Sequence, residues 1–281
     1  MIPAGKGVQV WNLTNPAETA ARIIEAGFQW VAVKAADGTL DHNQKAGPDN
    51  LWLFVDALRK AGIEVYGWQY VYGANYLGQP FPKGEAEAAI RNIQRFKFDG
   101  WLIDAESEYK RKGSAAWADI YMTTLRTSLP WVALGLQSYR FPSLHPELPW
   151  QSFLRHCDFH APQVYWVGSS NPDAQLRKST NELNVLRRLP IVPTGSAYYE
   201  RGWGPTPQQL DKFDATAKGL SLPGVLWYCW DDQGLSTHPD WLAAIKAHKW
   251  PGVIEPPPAA LSWVEEADAF LRTLGYTGRK P

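Results

Sequence analysis

Residues 65–104 read VYGWQYVYGANYLGQPFPKGEAEAAIRNIQRFKFDGWLID and contain one complete strand–helix–strand unit. The apolar run from Val65 to Val71 predicts a strand, residues from about Gly84 to Phe96 predict a helix, and residues 101–104 predict a second strand. A strand, a helix and another strand in such close succession are typical of a parallel sheet with helices packed on its outside.

The same alternation continues on both sides of this unit. The eight predicted strands cover residues 8–11, 30–34, 65–71, 101–104, 132–137, 159–165, 191–196 and 225–230. A helix is predicted after each of them, and the first helix shows the expected signals, with Asn15 and Pro16 at its start and Gly27 at its end. Eight alternations in one chain of 281 residues predict a single α/β domain, a (β/α)8 TIM barrel over residues 1–252.

An open, doubly wound sheet is the main competing fold. It would need fewer strands and a glycine-rich nucleotide loop after the first strand. This chain has Trp11-Asn12-Leu13-Thr14 at that place, which argues against nucleotide binding and favours the barrel.

Residues 253–281 form a second segment by sequence. Glu255-Pro256-Pro257-Pro258 predicts a stiff linker, and residues 261–274 predict one amphipathic helix. We expect that helix to dock on the outside of the barrel, with oligomerisation as the alternative. The oligomeric state is left open.

The composition narrows the classes of partner. Lys plus Arg equals Asp plus Glu, 28 each, so we expect neither nucleic acid nor an anionic membrane surface as partner. Neither a signal peptide nor a transmembrane run is evident, and the location stays open between the cytoplasm and release by a non-classical or phage-type route. The six histidines are scattered, so no metal and no cofactor are expected. Cys157 and Cys229 are predicted to be two buried thiols.

Functional groups of a barrel lie at the carboxyl ends of its strands. The fourth predicted strand runs directly into Asp104 and Glu106, two acids that period-two alternation places on one side. Neighbouring carboxylates repel, so one of them should titrate high, as glycosidic cleavage requires of its general acid. We interpret Glu106 as the acid and Asp104 as its assisting carboxylate. The competing interpretation is that these acids cap a loop or pair with nearby basic residues.

Other strand ends supply candidate substrate contacts and one further candidate catalytic carboxylate, Asp231. Fifteen tryptophans and twelve tyrosines add support for sugar stacking, although barrels also use tryptophan as core filler. The candidate substrate-binding residues are Gln9, Trp11, Lys34, Trp68, Tyr70, Gln137, Gln163, Tyr165, Trp230 and Asp232.

Six short motifs resemble the muramidase-type lysozymes of glycoside hydrolase family 25. They are residues 7–11, 30–35, 65–70, 102–106, 163–166 and 224–230. The resemblance, which spans roughly residues 7–250, implies cleavage of peptidoglycan glycan strands with Glu106 as proton donor. That family normally has an Asp at the end of its first strand, where this chain has Gln9.

Three functions follow, in order of preference. The first is a glycosidase that cleaves a polysaccharide, with peptidoglycan as first candidate and either a 2-acetamido group of the substrate or a further acid as the second catalytic group. The second is a non-catalytic carbohydrate-binding or structural barrel of a cell wall or virion. The third is a barrel enzyme acting on another substrate, such as a phosphorylated metabolite.

Overall fold

The computed structural model describes residues 1–43, 49–74, 77–231 and 233–250. Within these ranges eight parallel strands close into a barrel, and a helix follows each of them. The predicted (β/α)8 barrel is therefore confirmed. The predicted linker and helix of residues 253–281, and Asp232, lie outside the described residues.

The strands are short and the helices surround them. The strands are β1 Gly5–Val10, β2 Trp30–Asp37, β3 Leu40–Asp41, β4 Glu64–Val71, β5 Gly100–Ala105, β6 Ala133–Tyr139, β7 Phe159–Val164, β8 Thr194–Ser196 and β9 Gly224–Tyr228. The helices are α1 Pro16–Glu25, α2 Asp49–Lys60, α3 Pro82–Phe96, α4 Ser114–Ser128, α5 Trp150–Leu154, α6 Pro172–Leu186, α7 Pro207–Gly219 and α8 Pro239–Ala247.

The barrel closes where the first strand meets the last. β1 pairs with β2 on one side and with β9 on the other, both in parallel. The two-residue strand β3 is an antiparallel extension of β2 and is not part of the barrel wall. Because of it, the fourth wall strand, which carries the two predicted catalytic acids, is β5.

Aromatic side chains fill the barrel interior. Trp30, Tyr66, Trp68 and Phe159 belong to one buried cluster inside the ring of strands. Glycine on the neighbouring strands makes room for them: a Cβ at Gly7 would lie 2.2 Å from the Trp30 ring. A second and larger core packs the outside of the strands against the helices. Much of the tryptophan content is therefore structural.

Two predicted strand ends are corrected. The seventh wall strand, predicted from residue 191, is reduced to Thr194–Ser196 with only an isolated bridge at Ile191. Pro193, the residue before Thr194, has no backbone N–H group that could donate a hydrogen bond to a neighbouring strand. The eighth strand ends at Tyr228, so Trp230 and Asp231 lie in the loop beyond it.

The local start signals of the helices are seen in the structure. The side chain of Asn15 accepts from the backbone of α1, and Thr206 and Gln209 form a reciprocal capping box at the start of α7. Cys157 and Cys229 are buried and form no disulfide. No described helix combines the length and the apolar character that crossing a membrane demands.

Candidate active site

Strand β5 places two carboxylates at the mouth of the barrel. Its six residues are all buried, and Asp104 is 5% exposed. The strand ends at Ala105, and Glu106 begins the turn into a 3-10 helix over Ser107–Lys110. Glu106 is consequently one step farther out and half-buried.

One amide joins the two acids. The Nε2 group of Gln163, near the end of β7, lies 2.9 Å from Asp104 Oδ1 and 2.9 Å from Glu106 Oε1. Neither acid forms an ion pair with another of the residues that the structure describes. The two carboxylates thus lie side by side, and surface salt bridges do not hold them.

The surroundings of Asp104 favour its protonated form. Burial raises the pKa of Asp104 well above its ordinary value, and the negative charge of Glu106 raises it further. Lys34 opposes these effects, while a hydrogen bond with the Glu106 side chain again favours a proton on Asp104. Asp104 therefore keeps a proton to a higher pH than an exposed aspartate would.

Both acids open into a cavity of about 510 Å³. Its lining combines carboxylates, amides and aromatic rings, and seven of the predicted site residues belong to it. The full lining is Gln9, Trp11, Tyr70, Asp104, Glu106, Gln163, Tyr165, Tyr198, Glu200, Tyr228, Cys229 and Gln233.

Tyrosines form one wall of this cavity, which we call the central cavity. The rings of Tyr165 and Tyr228 lie 5.5 Å apart, and Tyr198 contacts both at its edge. Burial raises the pKa of Tyr165 and of Tyr228, so their hydroxyl groups stay neutral and can donate hydrogen bonds. Neutral hydroxyls and ring faces are suited to sugar hydroxyl and amide groups.

A pair of amides closes part of the floor. Gln9 Nε2 donates to Gln137 Oε1 at 3.1 Å, and Gln137 Nε2 donates to Gln9 Oε1 at 2.7 Å and to Thr194 Oγ1 at 3.2 Å. Gln9 faces the cavity, whereas Gln137 is fully buried beneath it. Gln137 therefore supports Gln9 from below and does not line the cavity.

Two more predicted contacts lie deeper than expected. Trp68 is 0% exposed, belongs to the interior cluster and donates its indole N–H to the Val10 carbonyl. Lys34 is 2% exposed, with its Nζ 3.2 Å from Asp37 Oδ2 and 3.9 Å from the centre of the Trp11 ring. The interpretation of Trp68 as a stacking platform is corrected, because the ring fills the barrel.

Asp231 is bonded to the loop that follows β1 and is not part of the lining of the central cavity. Its two oxygens accept the backbone N–H groups of Trp11 at 2.9 Å and Asn12 at 2.7 Å. With Trp230, it lines a different cavity beside the central one. Trp230 is buried there under the guanidinium of Arg22, which lies 5.3 Å from its ring centre.

Five members of the central cavity were not among the predicted site residues: Tyr198, Glu200, Tyr228, Cys229 and Gln233. Glu200 adds a third acid, and its neighbour Tyr198 forms a hydrogen bond with it. Glu200 lies four residues beyond the end of β8, farther than a reading of strand ends reaches, whereas Tyr198 lies only two residues beyond it. Tyr228 lies in a predicted strand, and its period-two position could have indicated that its side chain faces the barrel interior. Gln233 lies in the loop that follows this strand.

Within the described ranges, no group of three or more His, Cys, Asp or Glu side chains is placed to hold a metal ion.

No model of a known protein family matches the sequence, and no curated protein matches it either. Solved structures do match. An active domain of a chitinase from Pyrococcus furiosus has a TM-score of 0.63 at 15% identity, covering 99% of this chain and 98% of that one. The spore cortex-lytic enzyme SleL of Bacillus megaterium has a TM-score of 0.60 at 9% identity, covering 90% and 77%.

A class V chitinase mutant from Cycas revoluta, in complex with (GlcNAc)3, gives a TM-score of 0.63 at 11% identity, covering 86% of this chain and 99% of that one. These neighbours are glycoside hydrolases, and the chain shares their barrel fold. At such low identity the likeness establishes the fold alone, and it does not select family 25.

Proposed function

We propose that this protein is a glycoside hydrolase that cleaves a polysaccharide, with Glu106 as general acid and Asp104 as its assisting carboxylate. The observation that carries the proposal is the bridging of the two acids by Gln163 at the wall of an open cavity. Because Asp104 is the deeper acid and Glu106 is half-buried, Glu106 is the one that a bound substrate can reach.

The acid pair can donate one proton to the substrate and then stabilise the negative charge that remains on Glu106. The step begins with a proton on each acid: Glu106 gives its proton to the leaving glycosidic oxygen as the C–O bond breaks, and Asp104 keeps its own. The carboxylate that this leaves on Glu106 accepts hydrogen bonds from Gln163 and from protonated Asp104. Since the raised pKa of Asp104 keeps its proton available, the charge that develops on Glu106 is stabilised.

The positive charge at the sugar carbon needs a second group. We infer a substrate with a 2-acetamido group, whose carbonyl oxygen attacks that carbon and is later displaced by water. The neutral hydroxyls of Tyr165 and Tyr228 are suited to orient such an amide. Peptidoglycan glycan strands are our first candidate and chitin the next, and a spore cortex-lytic enzyme and a chitinase among the structural neighbours support this class.

Glu200 is the alternative second group. It shares the central cavity with the acid pair, whereas the oxygens of Asp231 are already bound to backbone N–H groups. If the substrate has no 2-acetamido group, Glu200 takes the role that the sequence assigned to Asp231.

The test is Glu106→Gln, which preserves shape and removes the proton. Turnover of peptidoglycan or chitin should fall by about two to four orders of magnitude, the usual contribution of a general acid, while sugar binding persists. Glu87→Gln is the matched control, because Glu87 is exposed on helix α3 and lines neither the central cavity nor a neighbouring one. Unchanged turnover in Glu106→Gln would refute the assignment.

A non-catalytic carbohydrate-binding barrel is the second candidate. Its support is Gln9, a neutral amide fixed by Gln137 where the resembling lysozymes carry an acid. Binding of a glycan by the wild-type chain without any hydrolysis would favour it over the hydrolase.

A further inference from the structure

A second and larger cavity adjoins the central one. It measures about 840 Å³, within the range usual for ligand sites. It lies between helix α1 and the loops that follow β1, β3 and β9. Its lining is Trp11, Asn12, Leu13, Thr14, Asn15, Glu18, Thr19, Arg22, His42, Asn43, Tyr228, Cys229, Trp230, Asp231, Gln233, Ser236 and Thr237.

The two cavities share a wall. Trp11, Tyr228, Cys229 and Gln233 line both of them. The second cavity, which we call the flanking cavity, is therefore directly adjacent to the cavity that holds the acid pair.

Trp11, the largest residue of that wall, is held from three sides. Its backbone N–H donates to Asp231 at 2.9 Å, and its carbonyl accepts from the amide of Asn43 at 2.8 Å. Its ring packs against the Lys34 ammonium at 3.9 Å and the edge of Trp68 at 5.1 Å. A half-buried indole fixed in this way is a ready surface for a sugar ring, because little conformational freedom is lost on binding.

The rest of the lining suits uncharged sugar units. Hydroxyl and amide side chains predominate, including Asn12, Thr19 and Ser236. The guanidinium of Arg22 is anchored to the Ser236 carbonyl at 2.7 Å and lies over the Trp230 ring. Charged groups of both signs are present, so the lining shows no preference for a strongly charged ligand.

We propose that the flanking cavity binds the sugars that continue the polysaccharide chain beyond the bond placed at Glu106. The enzyme would then act within long glycan chains and recognise oligosaccharides by length. This inference rests on the proposed function, since it assumes that the central cavity holds the reacting sugar.

The test measures binding of oligosaccharides of increasing length to the Glu106→Gln variant by calorimetry. The probes are β-1,4-linked N-acetylglucosamine oligomers of two to six units and peptidoglycan glycan strands of similar length without stem peptides. Affinity should rise by about tenfold or more between the short and the long members of the series that binds, equivalent to about 1.4 kcal/mol.

Thr19→Trp, in the Glu106→Gln background, is the blocking variant. Thr19 lies half-buried on α1 in the wall of the flanking cavity, so an indole there fills the space whichever contacts the sugar makes. The matched control is Thr39→Trp, at a half-buried threonine in a third cavity whose lining shares no residue with the other two. We expect Thr19→Trp to abolish the gain for long oligomers and leave short ones unaffected, and Thr39→Trp to change neither.

The outcomes separate this inference from the proposed function. Affinity that does not grow with length, or a gain that survives in Thr19→Trp, would overturn the flanking-site inference while the central site stands. If neither series binds at any length, both proposals fall. The length series needs no second substitution, so the inference stays testable even if Thr19→Trp does not fold.

Discussion

Gln163 Nε2 lies 2.9 Å from Glu106 Oε1, which places the amide of β7 on the carboxylate that follows β5. The same nitrogen reaches Asp104 at 2.9 Å. A donor shared between two acids stabilises their ionised forms and fixes their orientation. Gln163 is therefore a positioning residue for the acid pair.

Gln163→Met tests this role, because methionine has a similar length and no N–H donor. Loss of the donor should raise the pKa of Asp104 further, so the alkaline limb of the pH profile of kcat/KM, which depends on the proton of Asp104, should move to higher pH. A hydrogen bond to a charged group is worth about 1.5–3 kcal/mol, so kcat should fall by roughly 10- to 100-fold. Gln151→Met, at an exposed glutamine on α5, is the control, and an unmoved pH profile would contradict the role.

Asp231→Asn separates loop anchoring from catalysis. An asparagine retains one acceptor oxygen but turns an N–H group toward a backbone N–H of Trp11 or Asn12, which loosens that loop. We expect KM to rise several-fold with kcat nearly unchanged, since Trp11 contributes binding surface. Asp56→Asn, in an exposed ion pair with Lys60, is the control. A collapse of kcat at constant KM would instead support the catalytic role that the sequence suggested for Asp231.

The barrel and the acid pair could be predicted from sequence because their signals are local. Strand periodicity, helix caps and the i, i+2 spacing of Asp104 and Glu106 can each be recognised within a few residues. How deep a side chain lies inside the barrel does not follow from a local pattern. Trp68 and Tyr70 have the same period-two position on β4. Trp68 nevertheless pairs with Leu102 below the barrel mouth, whereas Tyr70 pairs with Asp104 at the mouth. That difference depends on how neighbouring strands are staggered, which the sequence of one strand does not show.

The rest of the site depends on contacts between distant segments. The amide pair of Gln9 and Gln137 joins residues 128 positions apart, and no pattern near either residue indicates it. Glu200 enters the cavity from a loop whose strand is shortened beside Pro193. Residues at the ends of strands could be proposed as site residues from the sequence. A loop residue whose side chain folds back into the cavity could not.

The stability of the fold should depend on pH through Glu85. This side chain on α3 is fully buried and accepts the backbone N–H groups of Tyr72 at 2.7 Å and Gly73 at 2.9 Å. Burial raises the pKa of Glu85 from 4.5 to about 7. The folded state thus binds a proton that the unfolded state has lost between these values. The stabilising contribution is complete below pH 4.5 and is lost as the pH rises to about 7, a change of about 3 kcal/mol.

Glu85→Gln removes this titration. Urea unfolding between pH 4.5 and 8 should show a smaller fall in the free energy of unfolding for the variant than for the wild type, although the variant is less stable at pH 4.5 because one backbone N–H loses its acceptor. Glu87→Gln, at an exposed glutamate on the same helix, should keep the wild-type slope. Equal slopes for wild type and Glu85→Gln would show that Glu85 does not titrate in this range.

Gln9→Asp restores the acid that the resembling lysozymes carry at the end of their first strand. Gln9 is 1% exposed and is bonded in both directions to Gln137, so a shorter, acceptor-only side chain leaves the Gln137 carbonyl without its donor. The buried aspartate should have a raised pKa. Its presence should therefore cost about 1–3 kcal/mol or more of stability, with the cost growing as the pH rises above the unfolded value of about 3.9. We expect turnover no higher than that of the wild type, because the proton donor is Glu106.

Urea unfolding at pH 4 and pH 8, with the exposed Gln94→Asp as control, measures the stability. A variant that is as stable as the wild type and more active would show that the cavity floor accepts a carboxylate, and that Gln9 is an impaired catalytic position instead of a structural seal.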